Sequence, residues 1–224
     1  MAQPRLRVLV FLLCAVLILV VFDTLYRGLN TLNRLDYVEH ERDRWQRSSE
    51  ILHELKLMDG STVVDLGCGS GYFTLKLSPE VGSRGRVVAV DIRRLSLAFL
   101  WVRSLSRRAS NISIVHSEAN SPRLPTNLDA VLIVNTYHEL TQPQAILNSV
   151  RRSLVPDGRL VIADHSQGEE HEPPPELQRQ RHELPSAVVV EELQRAGFQI
   201  IRRDDRFAEQ PGEGWWWLIV ARSG

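Results

Sequence analysis

The sequence predicts an α/β protein with a doubly wound, mostly parallel sheet of seven strands, preceded by a transmembrane helix. Three observations lead to this expectation. An uninterrupted apolar run occupies residues 8–22. From residue 60 onward, short apolar runs alternate with helical patterns, as in a mainly parallel sheet. At the end of the chain two strand-like runs follow each other without a helix, which resembles a hairpin.

The N-terminal apolar run is preceded by Arg5 and Arg7 and ends at Asp23. As a helix, 8–22 is about 22 Å long at ~1.5 Å per residue. A bilayer core of about 30 Å usually takes about 20 residues, and the neighbouring residues up to Tyr26 can extend the run. We therefore expect 1–24 to be a membrane anchor. A cleaved signal peptide is an alternative, although Val20–Phe22 suits a cleavage site poorly. A buried core helix is another.

The segment 25–47 is polar and charged, with leucines at helical spacing, and is predicted to be a helical lead-in. The body of the chain, 48–224, follows and opens with a helix near 48–57. Strands are predicted at 62–66, 86–90, 111–116, 129–134, 159–163, 198–204 and 215–222. Helices are predicted from about 72, at 94–104, at 143–154 and at 186–196, with a turn at 156–158. In such sheets the ligand lies beyond the carboxyl ends of the strands.

Composition excludes several classes of function. Lys+Arg and Asp+Glu both number 27, so the chain has no broad attraction for nucleic acid and none is expected as a partner. Cys14 and Cys68 are too few for a cysteine-rich zinc site. They indicate a reduced, intracellular type of domain. We expect no metal, because the spacing of His165 and His171 matches no known ligand set.

The strongest motif is the segment 63–74, Val-Val-Asp-Leu-Gly-Cys-Gly-Ser-Gly-Tyr-Phe-Thr. Its three glycines permit a sharp strand-to-helix turn and a close approach of backbone N–H groups to a ligand. The dinucleotide fingerprint G-x-G-x-x-G fails in both registers, since Tyr72 or Thr74 stands at its sixth position. Asp91 ends the second strand, where an acid can accept the hydroxyls of a ribose.

Together, D-L-G-C-G-S-G at 65–71 and Asp91 resemble the first two motifs of the class I S-adenosylmethionine-dependent methyltransferases. The resemblance covers about residues 45–222 and implies a Rossmann-like methyltransferase fold ending in an antiparallel hairpin. It implies S-adenosyl-L-methionine as cofactor. The residues it assigns to the cofactor are Asp65, Gly67, Gly69 and Gly71 for the methionine portion, Asp91 for the ribose and Glu118 for the adenine amino group. Further expected cofactor contacts are Cys68, Tyr72, Ile92, Ala119 and Asn135.

A narrower resemblance is to an uncharacterised bacterial subgroup of these methyltransferases, which has no settled substrate. Four segments carry it, namely R-D-R-W-Q at 42–46, G-Y-F-T at 71–74, V-N-T-Y-H at 134–138 and R-H-E-L-P at 181–185.

The polar segment after the fourth strand is expected to line the substrate, with Asn135, Tyr137 and His138 as candidate catalytic residues. Methyl transfer is an in-line attack that mainly needs alignment and exclusion of water. His138 is either a general base or a structural hydrogen-bonding group. Tyr137 either closes over the cofactor or packs. Asp164 and His165, after the fifth strand, are further candidates.

Other segments have two interpretations each. The stretch 168–183 is a lid, with His182 on the substrate, or a solvated loop. Trp45 covers the cofactor or belongs to the core. Trp215–Trp217 alternates along a strand, so an indole should face each side of the sheet, where it packs in the core or lines a hydrophobic acceptor pocket.

We therefore expect an S-adenosylmethionine-dependent methyltransferase that acts on a small-molecule or lipid-like acceptor by in-line transfer. The alternative is a catalytically silent, membrane-tethered module that binds the cofactor or a partner. Charges flanking the anchor are nearly balanced and do not decide its orientation. The cofactor is cytosolic, so we expect a single-pass membrane protein with its domain on the cytoplasmic side.

Overall fold

The computed structural model describes residues 3–166, 184–212 and 214–223. The whole segment predicted as a lid, 168–183, lies outside the described residues, and so do His171 and His182 within it. The chain divides into two compact units, 1–42 and 43–224.

The first unit consists of most of helix α1, Gln3–Trp45. By length and composition this helix can cross a membrane, and the apolar side chains of 11–22 are largely exposed. The helix has no break at residue 24, because the polar residues that follow the apolar run keep helical spacing. The boundaries predicted for the anchor and the lead-in remain a prediction.

The second unit is an α/β body built on one seven-stranded sheet. Its strands are β1 Thr62–Leu66, β2 Arg86–Asp91, β3 Ile112–His116, β4 Leu128–Val134, β5 Leu154–Ser166, β6 Phe198–Gln210 and β7 Gly214–Ser223. Its helices are α2 Ser48–Glu54, α3 Tyr72–Glu80, α4 Arg94–Ser106, α5 Pro143–Ser153 and α6 Ser186–Arg195, with a 3-10 turn at Tyr137–Glu139.

The strand order is β3-β2-β1-β4-β5-β7-β6. Strands β1 to β5 run parallel, and β7 is antiparallel to both of its neighbours. The order reverses between β1 and β4, and a ligand crevice forms at such a switch point. The predicted fold class, including the terminal hairpin, is confirmed.

Both faces of the sheet are buried, because alternate residues of each central strand enter different apolar clusters. Val64 and Val131 belong to one cluster, while Val63 and Leu132 belong to the other. The tryptophans of β7 follow the predicted alternation, since Trp217 enters the first cluster and Trp216 the second. Trp45 packs against Trp216, with ring centroids 5.4 Å apart, on the edge of the second cluster.

Several predicted boundaries differ from the structure. Strand β5 begins at Leu154, and the predicted turn forms a bulge within it, where Asp157 has a φ of 61° and the register with β4 shifts. Strand β6 extends to Gln210 instead of ending near 204. It lies at the edge of the sheet, where charged residues replace the apolar alternation that the prediction relied on.

Candidate active site

The glycine loop between β1 and α3 is held in place by Asp91 at the end of β2. One carboxylate oxygen of Asp91 accepts a hydrogen bond from the Gly69 amide at 2.8 Å, and the other accepts one from the Arg93 amide at 2.7 Å. The carboxyl group is nearly buried, and the Arg93 guanidinium lies 3.6 Å from it. A carboxylate has about four acceptor sites, so capacity remains for hydroxyl groups of a ligand.

Gly67 needs to be a glycine for two reasons. Its φ is +80°, which side-chain-bearing residues rarely adopt, and a Cβ there would lie 2.3 Å from side-chain atoms of Thr136. The Thr136 hydroxyl in turn lies 3.1 Å from the Val134 carbonyl oxygen. The first turn of the loop therefore packs directly against the residues that follow β4.

Arg103 supports the loop from α4. Its side chain is almost completely buried and donates a hydrogen bond to the Ser70 carbonyl oxygen at 2.7 Å. Arg103 was not among the predicted site residues, because one arginine in an amphipathic helix is usually solvated. Arg103 lies on the same helical face as the apolar Leu100, and this position indicates that its side chain points into the protein.

A pocket opens at the carboxyl ends of β1, β2 and β4, at the switch point of the sheet. Its space, counted out to the open mouth and including the solvent there, is about 580 Å³. Five of the predicted cofactor residues line it, namely Gly67, Asp91, Ile92, Glu118 and Ala119. Lining residues that the sequence analysis did not assign are Leu66, Val90, Arg93, Ser117, Pro122, Thr136, Glu139, Leu140, Thr141 and Ile146.

The other predicted cofactor residues do not line this pocket in the part of the chain that the structure describes. Asp65 is buried under the loop and accepts a hydrogen bond from the Thr74 hydroxyl at 2.5 Å. Gly71 begins α3 with a φ of 95°. Tyr72 donates its hydroxyl to Asp43 at 2.6 Å, so it connects α3 to the end of α1 within the second unit.

Cys68, Gly69 and Asn135 are also outside the lining of the pocket in the described part of the chain. Burial, and then the charges of Asp65 and Asp91, raise the pKa of the Cys68 thiol well above its ordinary value. The thiol is therefore neutral. Asn135 has a φ of 53° and turns the chain from β4 into the 3-10 turn. Such a conformation is tolerated by asparagine better than by most residues.

Tyr137 is a core residue. It is fully buried, and its hydroxyl donates a hydrogen bond to the Glu192 carboxylate on α6 at 2.7 Å. Of the two roles considered for Tyr137, this placement favours packing over closure on the cofactor. The reason is that the 3-10 turn directs residue 137 toward α6 while Thr136 and Glu139 face the pocket.

His138 pairs with Asp164 at the end of β5. The Nδ1 atom of His138 lies 2.9 Å from the carboxylate, and both side chains are buried. The Asp164 carboxylate also accepts hydrogen bonds from the backbone amides of His138 and His165, at 3.2 and 2.9 Å. The Nε2 atom of His138 lies 4.0 Å from a carboxylate oxygen of Glu139, which lines the pocket.

His165 completes a group of three donors with His138 and Asp164. One ligand atom from each lies within 4.8 Å of the others, so this set can hold a metal ion. The ring of His165 also contacts those of His138 and Trp216, at centroid distances of 5.6 and 5.8 Å. The absence of a metal therefore stays a prediction, although the adjacency of β4 and β5 brings these three side chains together.

The sequence matches the family model described as a methyltransferase domain over residues 57–207. It is 26% identical over 148 residues to a demethylmenaquinone methyltransferase of Shouchella clausii, covering 66% of this chain and 62% of that protein. It is 32% identical over 136 residues to a ubiquinone/menaquinone biosynthesis C-methyltransferase of Shewanella oneidensis, covering 60% and 52%. The aligned region spans about half to three fifths of these relatives' length.

Solved structures agree with the sequence comparison. A SAM-dependent methyltransferase from Aquifex aeolicus is 28% identical and superposes with a TM-score of 0.66, covering 80% of this chain and 90% of that one. The family model covers most of the body, and the fold and the glycine loop with Asp91 are consistent with it. This chain belongs to the class I S-adenosylmethionine-dependent methyltransferase family.

Proposed function

We propose that the protein transfers the methyl group of S-adenosyl-L-methionine to a small, lipid-like acceptor at a membrane. The observation that carries the proposal is the pocket at the switch point of the sheet, with Asp91 at its wall and Gly67 leaving no space for a side chain. These features fit an adenosyl ligand. Asp91 can accept the ribose hydroxyls, while Glu118 lies at the pocket where an amino group can be met.

Residues after β4 and β5 serve the reaction itself in this proposal. When bound, S-adenosylmethionine would supply an electrophilic methyl group to an electron pair of the acceptor, and the electrons of the broken carbon–sulfur bond would stay on the sulfur of S-adenosylhomocysteine. His138 receives the acceptor's proton on Nε2. Asp164 keeps the hydrogen on Nδ1, because a carboxylate can only accept. General-base assistance of this kind contributes about 10²–10⁴-fold in rate.

The acceptor class is inferred from two independent features. The names of the Shouchella and Shewanella relatives describe methylation of quinones or their precursors, which are lipid-like rings. Helix α1 is long and apolar enough to cross a membrane, and the cytosolic origin of the cofactor favours a domain on the cytoplasmic side. A small acceptor that partitions into lipid accounts for both.

The cofactor assignment is tested by calorimetric titration of S-adenosylmethionine and of NAD into the full-length chain in detergent. Asp91→Asn should abolish measurable binding of S-adenosylmethionine. Glu80→Gln, an exposed acid at the end of α3, is the matched control and should bind normally. Tighter binding of NAD, or no binding of S-adenosylmethionine by the folded protein, would overturn the assignment.

Turnover is tested separately with S-adenosylmethionine that carries a labelled methyl group. The full-length protein is incubated with extracted bacterial lipids, and label is counted in the organic phase. Label that appears with the wild type and not with Asp91→Asn supports the proposal. Cofactor binding without transfer to the lipid extract would favour a silent, cofactor-binding module.

A further inference from the structure

Helix α4 exposes large apolar side chains to solvent. Leu95, Trp101 and Leu105 are 72%, 58% and 59% exposed. Val102 and, just before the helix, Ile92 are 41% and 50% exposed. Single exposed apolar residues are common, but a cluster with a tryptophan marks an interaction surface.

These residues form one stripe. Leu95, Trp101, Val102 and Leu105 recur at helical spacing, so they share one face of α4. The opposite face is already used, since Leu97 and Leu100 pack into a buried cluster. The exposed stripe is therefore additional to the face that holds the helix on the sheet, and folding of the domain does not require it.

The stripe is bordered by positive charge. Exposed arginines stand at both ends of the helix, at 93, 94, 107 and 108. The sequence contains no acidic residue from 92 to 117, although the whole chain is neutral. The stripe and these four arginines are called the α4 surface. An apolar face with an interfacial tryptophan and flanking arginines matches the headgroup region of an anionic membrane.

We propose that the α4 surface docks on an anionic lipid bilayer. The apolar side chains enter the boundary between headgroups and acyl chains, and Arg94 and Arg108 contact lipid phosphates. Charge complementarity selects the bilayer over a second copy of this chain, because two α4 surfaces would bring the same arginines together. This docking is a contact made by the folded domain, additional to any membrane span formed by α1.

Docking would also orient the pocket. Ile92 and Arg93 belong to the α4 surface and line the pocket as well. The mouth of the pocket would then lie beside the lipid, from which a lipid-like acceptor can enter. This consequence rests on the proposed function, whereas the docking itself does not.

The test uses the two exposed tryptophans, Trp101 on α4 and Trp215 on β7. The full-length protein is reconstituted in nanodiscs that contain phosphatidylglycerol and a phosphatidylcholine brominated near the headgroup. Bromine quenches only tryptophans that lie at the membrane. We expect Trp101→Phe to remove most of the quenching and the matched control Trp215→Phe to leave it unchanged.

A second arm tests the charge. Arg94→Gln combined with Arg108→Gln should reduce the quenching in phosphatidylglycerol nanodiscs to the level found without that lipid. Quenching that is equal in wild type and Trp101→Phe would overturn the proposal. The proposal would also be overturned if the emission of Trp101 changed with protein concentration in detergent but did not change when lipid was added. A second copy of the chain would then cover the surface. Titration of S-adenosylmethionine into the same variants reports separately on the proposed function.

Discussion

Asp164 fixes both the side chain and the backbone of His138. Its carboxylate lies 2.9 Å from the Nδ1 atom and accepts the His138 amide at 3.2 Å. An ionised carboxylate has no hydrogen to donate, so this pairing favours the hydrogen on Nδ1, and the lone pair of a neutral ring is then on Nε2. The Nε2 atom of this buried imidazole lies 4.0 Å from a carboxylate oxygen of Glu139, a residue that lines the pocket.

Replacing Asp164 with asparagine should lower kcat for methyl transfer by about 10²–10⁴-fold, the usual contribution of a general base. An amide can donate to Nδ1 and so stabilise the wrong tautomer, while the cofactor pocket is unchanged. Steady-state kinetics and calorimetry should show a loss of kcat at constant affinity for S-adenosylmethionine. Asp157→Asn, at the exposed bulge of the same strand, is the control. An unchanged kcat in Asp164→Asn would exclude the positioning role.

Substituting Gly67 should be more harmful than substituting Gly69. Both have positive φ, and an alanine there costs about 1–2 kcal/mol in backbone strain. At Gly67 the new Cβ also meets the Thr136 side chain at 2.3 Å, whereas at Gly69 it meets nothing within 4 Å. Thermal unfolding of Gly67→Ala and Gly69→Ala isolates the effect of the clash. Equal loss of stability in the two variants would show that the loop can move away from Thr136.

Tyr137→Phe should lower the free energy of unfolding by about 1–3 kcal/mol, because the buried Glu192 carboxylate loses a donor. Its affinity for S-adenosylmethionine should not change, since the residue faces the core. Denaturant unfolding and calorimetry measure the two effects. The control is Tyr26→Phe at an exposed tyrosine of α1, which should leave the free energy of unfolding unchanged. A variant with wild-type stability but lost turnover would restore the catalytic role for Tyr137.

Cys68 should resist alkylation at pH 8. Burial, followed by the nearby charges of Asp65 and Asp91, raises the pKa of its thiol, so the reactive thiolate is scarce at a pH near the ordinary thiol pKa of about 8.5. Mass spectrometry after iodoacetamide treatment should find Cys68 unmodified in the folded protein and modified in urea. If Cys68 of the folded protein were alkylated as fast as it is in urea, the loop would be open to solvent.

The fold and the cofactor loop could be predicted because their signals are local. Glycines at 67, 69 and 71 next to an apolar strand indicate a tight turn whatever the rest of the chain does. The apolar runs of β1 to β5 indicate strands buried on both faces, which is a property of parallel sheets. The start of β5 and the end of β6 were predicted less well. A bulge interrupts the apolar pattern of β5, and charged residues replace it along the edge strand β6.

By itself the sequence determined the α/β alternation, the glycine loop with Asp91 and the long apolar helix, because each is encoded in neighbouring residues. Only the tertiary structure decided which polar groups meet. His138 and Asp164 are 26 positions apart, and Tyr137 and Glu192 are 55 apart. The first pair meets because β4 and β5 are adjacent in the sheet, and the second because α6 packs over the 3-10 turn. Strand order and helix packing are long-range properties that residue spacing along the chain does not contain.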